Sequence, residues 1–141
     1  AKRRGDKDFK SATRDVARIL GELKKEKVDN VLIDLRNNGG GSLMEAVELT
    51  GLFIDKGPVV MQRSAEGRVD VESDTSAGLA WSGPVGVLIN RGSASASEIF
   101  AAAIQDYGRG LVIGEPSFGK GTVQTLVNLD RFAQGEKARY G

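Results

Sequence analysis

Ser95, in the stretch Ser93-Ala94-Ser95-Ala96-Ser97-Glu98, stands 25 positions before Lys120, which lies in Phe118-Gly119-Lys120-Gly121-Thr122-Val123-Gln124; the 141-residue chain has no histidine and no cysteine. Those absences exclude a Ser-His-Asp triad and a Cys-His pair. A serine nucleophile here needs another base, and Lys120 is the placed one, since a Ser-Lys dyad is a variant of the same logic. The base role makes a demand. A free lysine titrates near ~10.4 and a useful base near ~7–8, so the site must disfavour the ammonium by roughly 4 kcal/mol. Desolvation does this, and Gly119, Gly121 and Phe118 allow tight apolar packing around the amine.

Ser95 also has a purely structural reading. Ser95-x-x-Glu98 before Ile99, Phe100 and Ala103 is a capping box, in which the serine satisfies an orphan helix amide. The same position suits a nucleophile, because a helix start after a strand aims amides and a positive dipole end at developing negative charge. The Ala96 N–H is then one oxyanion donor. A second is expected from Gly39-Gly40-Gly41, where glycine lets backbone amides approach a carbonyl closely, although the run also reads as a plain strand-to-helix turn. A rival comes from Gly114-x-x-x-x-Gly119-Lys120, close to a phosphate-binding loop. That motif wants Ser or Thr after the lysine and a helix opening there. Here Gly121 follows, then the β-leaning Thr122-Val123-Gln124, with Pro116 inside the loop.

These residues must be positioned by an α/β arrangement. Val16, Ile19, Leu20 and Leu23 recur at helical spacing between Ser11 and Lys27. Val31 to Leu35 is a short β-branched run, followed by the Asn37–Ser42 glycine break and a helical pattern from Leu43 to Ile54. Val59 to Arg63 and Arg68 to Glu72 flank Ala65-Glu66-Gly67 as a hairpin. Asp70, Glu72 and Asp74 alternate, which places them on one strand face; a solvated edge explains them more simply than a metal site. Gly78 to Gly83 is loop, with Trp81 an apolar anchor. Val85 to Ile89 is a buried strand before the serines, and a helix follows from Ala96 to Tyr107. Leu111 to Ile113 and Thr122 to Leu129 are expected strands on either side of the Gly/Lys loop.

Hydrophobic content of 40%, charged content of 28% and a net charge of +1 are those of an ordinary globular chain. They argue against a dedicated nucleic-acid binder, which needs a basic excess. Lys2, Arg3, Arg4, Lys7 and Lys10 are offset by Asp6 and Asp8, so residues 1–10 read as a frayed segment and 131–141 as a polar tail, on either side of one unit from 11 to 130 that the resemblance described below implies to be catalytic. Without cysteine there is no disulfide and no Cys/His zinc site, and no cofactor is called for. No apolar run reaches membrane-spanning length and no signal-peptide pattern opens the chain.

Leu32 to Gly41, Gly92 to Glu98, Gln105-Asp106-Tyr107-Gly108-Arg109 and Gly114 to Gln124 together resemble the carboxy-terminal processing peptidases, the tail-specific group of serine peptidases. The resemblance implies Ser95 as nucleophile, Lys120 as base, Gln124 as the residue orienting the amine, and Gly41 (or Gly40) and Ala96 as oxyanion donors. On an ideal strand residues 120 and 124 share a face about 13 Å apart, so the backbone must bend to join them. It also implicates Asp106, which three helical turns hold roughly 16 Å from Ser95; a structural role beside Arg109 or at the helix end fits better. The implied fold is a ClpP/crotonase-like α/β core, incomplete at both ends. The implied substrates are proteins with apolar C-termini, captured by a PDZ-like domain not visible here, in a bacterial periplasm or envelope. A non-catalytic crotonase-like scaffold, with Ser95 only a cap, is the alternative.

Overall fold

The computed structural model describes residues 10–124. Helix α1 (Ala12–Lys25) starts where the Ser11 hydroxyl accepts the Arg14 N–H at 3.2 Å. It turns Val16, Leu20 and Leu23 to the core and leaves Ile19 42% exposed. Then come β1 (Val31–Asp34), α2 (Leu43–Gly51), β2 (Gly57–Arg63), β3 (Val69–Asp74), β4 (Val85–Ile89), α3 (Ala96–Asp106) and β5 (Leu111–Gly114). The strands read from the sequence at residues 31–35, 85–89 and 111–113 form one parallel sheet in the order β1-β4-β5, with Val31 opposite Val85 and Val87 opposite Val112, and Leu32, Leu111 and Ile113 are exposed on it. Strands β2 and β3 form the expected hairpin, paired antiparallel with a bulge between Pro58 and Val60.

One face of the parallel sheet carries Val31, Val85 and Val87 into a core shared with Leu20, Phe53, Phe100 and Ile104. Phe53 and Phe100 meet edge to face with centroids 5.7 Å apart, a geometry that suits the ring quadrupoles. Trp81 is buried as anticipated and donates its indole N–H to the Pro84 carbonyl at 3.1 Å.

Parallel pairing has a consequence for function. β1, β4 and β5 all release their loops at the same end of the sheet, so the glycine loop, the serine loop and the Gly/Lys loop are neighbours. The carboxyl ends of parallel strands are where open α/β sheets place their sites. Because β4 is central, the serine loop sits between the other two.

Three expectations are corrected. Thr122 to Gln124 form no strand, and the rest of that segment, like the basic cluster before Lys10 and the tail from Asp130, lies outside the described residues. Asp74 is buried, not solvated like Asp70. It fits because α2 ends in Gly51, where a Cβ would come within 2.5 Å of the Asp74 Cγ. Arg109 does not pair with Asp106: its guanidinium donates to the carbonyls of Phe53 (2.7 Å) and Trp81 (2.8 Å), tying the turn after α3 to the loops beneath.

Candidate active site

The three serines divide their work. Ser93 is fully buried; its hydroxyl donates to the Leu35 carbonyl at 2.7 Å and accepts from the Asn90 N–H. The Ser97 hydroxyl lies 3.0 Å from the Asn38 carbonyl oxygen and 2.9 Å from its Oδ1. Both therefore fasten the serine loop to the glycine loop that follows β1. Ser95, between them, is held at φ 56, ψ −117, a left-handed conformation that costs a side-chain-bearing residue ~1–3 kcal/mol. A sharp, strained strand-to-helix turn of this kind presents a nucleophilic hydroxyl at the top of a sheet. The Glu98 N–H donates to the Ser95 carbonyl at 2.9 Å, so that first-turn amide has a partner other than the hydroxyl.

Asn38 shapes the second side of the site. Its carbonyl accepts from the Ala94 N–H at 3.0 Å and its Oδ1 from the Gly40 N–H at 3.0 Å. Gly40 sits at φ 93, and a Cβ there would lie 2.5 Å from the Ala94 carbonyl oxygen and 2.8 Å from the Ala96 nitrogen. Only glycine lets the two loops touch at this point. The Gly40 amide is thus spent on Asn38, whereas the amides of Gly41 and Ala96 have no partner among the described residues. Gly41 and Ala96 line one cavity with Ser95, Lys120 and Gln124. The fold brings five of the seven residues singled out above into that single space. Gln124 reaches it because the chain after Lys120 does not run as a strand. Asp106 does not: it is exposed at the far end of α3, in a different hollow beside Pro58 and Tyr107.

Glu98 has a larger part than its place in a capping box suggested. Its carboxylate accepts from the Ser95 N–H (2.8 Å), completing that half of the box. It also accepts from the Ser117 hydroxyl (2.7 Å) and the N–H groups of Gly119 (2.6 Å) and Lys120 (3.0 Å). One side chain thus links the serine turn to the lysine loop. Burial pushes the Glu98 carboxyl up, but the bonds from Ser117, Gly119, Ser95 and Lys120 together outweigh it and hold its pKa below the ordinary glutamate range. The Phe118 N–H adds a bond to the Ser93 carbonyl at 2.9 Å.

The expected dry surroundings of Lys120 are not formed by the described residues. Lys120 is exposed, and Phe118 turns outward with 65% of its surface accessible, because its loop rests on α3 through backbone bonds and not through apolar packing. Nor does a helix open at residues 121–124, the described residues after Lys120, where a phosphate-binding loop requires one. Among the described residues no group of three acidic side chains converges as a metal site, and no helix is long and apolar enough to cross a membrane.

Residues 7–140 match the family described as Peptidase family S41. The chain belongs to that family. It is 55% identical over 118 residues to the tail-specific protease of Haemophilus influenzae, a match covering 84% of this chain and 17% of that protein. It is 42% identical over 108 residues to the chloroplastic C-terminal processing peptidase of Tetradesmus obliquus, covering 77% of this chain and 23% of that one. The solved photosystem II D1 C-terminal processing protease superposes with a TM-score of 0.77 at 38% identity, over 84% of this chain and 31% of that structure. The S41 chain described here therefore spans about a sixth to a third of the length of these relatives.

Proposed function

We propose that this S41 chain carries the catalytic centre of a serine endopeptidase that processes protein C-termini. The observation that carries the reading is the convergence, in one cavity, of a serine on a strained turn, a lysine, and two amides without a partner among the described residues. Ser95 Oγ attacks the scissile carbonyl carbon while its proton passes to Lys120 Nζ, forming the C–O bond. The amides of Gly41 and Ala96 hold the resulting oxyanion, a contribution of ~3 kcal/mol per donor. The C–N bond breaks as the lysine returns the proton to the leaving amine, and water then cleaves the acyl-enzyme by the same steps. Gln124 orients the amine, and substrate lying across the exposed Lys120 supplies the desolvation that its base role requires. Glu98 holds the two loops in register and takes no proton.

The names of the relatives support protein substrates cleaved near C-terminal tails. Apolar tail sequences, their capture by a PDZ-like domain and a periplasmic or envelope setting complete the proposal. The test is turnover of a tailed protein substrate by the full-length protein. Ser95→Ala and Lys120→Ala should each abolish it while leaving the circular dichroism spectrum unchanged, and normal turnover by Ser95→Ala would refute the assignment. The non-catalytic scaffold draws support from the exposure of Lys120; a fluorophosphonate probe separates the two, because a serine that only caps a helix does not react.

A further inference from the structure

Strands β1 and β4 stop pairing at Leu88, whose carbonyl accepts from the Leu35 N–H at 2.9 Å. Both chains then leave the sheet, one into the glycine loop and the other into the serine loop. Asn90 stands at that fork, half-buried, with every polar group engaged. Its N–H donates to the Ser93 hydroxyl at 3.0 Å, and its carbonyl accepts from the Ser93 N–H at 2.9 Å, which closes a turn at the root of the serine loop. Its side chain crosses to the other loop. There Oδ1 accepts from the Asn37 N–H at 2.8 Å, and Nδ2 donates to the Asn37 Oδ1 at 3.0 Å. The same Oδ1 also accepts from the Gly92 N–H at 3.0 Å.

Two N–H donors on one oxygen fix which way the Asn90 amide faces, because turning it over would set its NH2 against them. The Asn37 amide is fixed in turn, since its oxygen must meet Asn90 Nδ2. Asn37 is held at φ 58, a left-handed conformation that asparagine adopts more readily than most residues with a side chain. Next comes Asn38, whose N–H returns to the Leu35 carbonyl at 3.1 Å and whose oxygens take the Ala94 and Gly40 amides. The backbone angle at Asn37 therefore aims the glycine loop at the serine loop. Gly92 lets the two turns touch: a Cβ there would lie 2.8 Å from the Asn37 Cα and 2.9 Å from its Oδ1.

Resting on the proposed function, we infer that Asn90 is a positioning residue for the oxyanion hole. Through Asn37 it sets the separation at which the Gly41 and Ala96 amides converge. Those amides belong to different loops, so neither loop can set their spacing alone. Asn38 joins the loops near the site, and Asn90 joins them at the root, where strand pairing has ended. Asn90 does not line the cavity that holds Ser95 and Lys120, so it acts through other residues and not on substrate. A hydrogen bond weakens steeply as its donor tilts away from the acceptor. A rotation of the glycine loop about Asn37 thus weakens the grip on the oxyanion while the cavity keeps its lining. The effect belongs to the chemical step and not to substrate binding.

The experiment uses the full-length protein, with kcat and KM measured on a tailed protein substrate and denaturant unfolding measured in parallel. Asn90→Ala should lower kcat by about 10², the loss that follows a misplaced oxyanion donor, and leave KM within a factor of about two. Asn90→Asp keeps both acceptor bonds and lets the Asn37 amide turn over to donate, so its kcat should return to within about threefold of wild type. Asn37→Gly removes the side-chain bond but keeps the N–H and the left-handed turn, and should lower kcat by about tenfold. Added to Asn90→Ala, it should change little further, because the two act through one contact. Asn37→Gly also decides the matter alone if Asn90→Ala does not fold. Unchanged kcat in these variants, a loss confined to KM, full additivity in the pair, or an Asn90→Asp protein as slow as Asn90→Ala would overturn the inference. In each of those outcomes Ser95→Ala remains inactive, whereas failure of the proposed function is turnover that survives Ser95→Ala.

Discussion

The two halves of the site are built differently. On the side of the proposed nucleophile, the serine loop and the glycine loop are joined by bonds from buried or part-buried groups, Ser93 to Leu35 and Ala94 and Ser97 to Asn38, while the exposed Gly40 amide bonds back to the Asn38 side chain within its own loop. On the base side, an exposed loop is held by one backbone bond to Ser93 and by what Glu98 accepts from it. The first half is preorganised to stabilise charge, since its amides are already aimed and cost no reorganisation. The second half has a backbone in place but an amine still in water. Under the proposed mechanism, such a division leaves the base half to be completed by substrate, which supplies the cover that the exposed amine lacks.

The comparison breaks most sharply at Gly40. Gly40→Ala puts a methyl into the Ala94 carbonyl and the Ala96 nitrogen at a backbone angle that alanine adopts poorly. The two loops must part, and the Gly41 and Ala96 amides cease to converge. Cleavage by the full-length protein should fall by ~10²–10³ in kcat, the cost of losing an oxyanion donor. A steady-state assay checks this, and an activity above half of wild type would show that the close approach of the loops is dispensable.

Glu98 tests the other half. A glutamine at position 98 keeps the shape but offers one acceptor oxygen where the carboxylate offered two, and its amide NH2 faces groups that themselves donate. Glu98→Gln should free the lysine loop and lower kcat by roughly tenfold, with a stability loss of about 2 kcal/mol, as for hydrogen bonds to a charged group. Denaturant unfolding and a kcat-against-KM comparison read the two effects separately. Ser117→Ala removes a single donor and should fall between Glu98→Gln and wild type in both measurements.

The contrast also explains which parts could be read from sequence alone. Val85–Ile89, the helix after the serines and the hairpin were legible because each depends on local pattern: a β-branched run, apolar residues at helical spacing, and turn residues between alternating strands. The nucleophile half was legible for the same reason, since Gly39 to Gly41 and Ser93 to Ser97 each sit at the end of a recognisable strand. Glu98 was read only as a cap, because its other three partners come from a loop about 20 residues downstream that no local rule connects to it. A signal did exist: the capping box engages one of a carboxylate's roughly four acceptor sites, leaving the rest for donors such as those of the Gly/Lys loop. Lys120 was expected in a dry pocket because glycines and Phe118 permit tight packing. Permission is not occupancy, and the loop's backbone bonds point Phe118 outward instead. Asp106 reads from the sequence as a partner of Arg109 or of the helix end, but Arg109 finds two carbonyls that its planar fork fits better, and Asp106 is left at the helix end.

The carboxylate link makes the base half acid-sensitive in a defined direction. Because the folded-state pKa of Glu98 lies below its ordinary value, its contribution to stability is fully present above the unfolded-state pKa. That contribution is lost as the pH falls through the lowered folded-state value. Thermal unfolding of wild type should therefore show a loss below the ordinary glutamate range that Glu98→Gln lacks, so the difference in stability between the two proteins narrows toward acid pH. A gap that stays constant from neutral to acid pH would mean that the charge of Glu98 does not hold the loop.

The smallest effect is expected at Ser97. Among the described residues its hydroxyl meets only Asn38, whose carbonyl keeps the Ala94 amide and whose Oδ1 keeps Gly40 when the hydroxyl is gone. Ser97→Ala should cost about 1 kcal/mol, the usual net value of one hydrogen bond, and change kcat by no more than a few-fold. Asn38→Ala, which removes the Oδ1 contact to Gly40 as well, should cost more in kcat than in stability, because the lost contact positions the oxyanion loop. If Ser97→Ala proved as damaging to turnover as Asn38→Ala, the preorganisation would reside in the serine loop itself. The glycine loop would then be its follower, and the asymmetry between the halves would have to be drawn along α3 instead of between the loops.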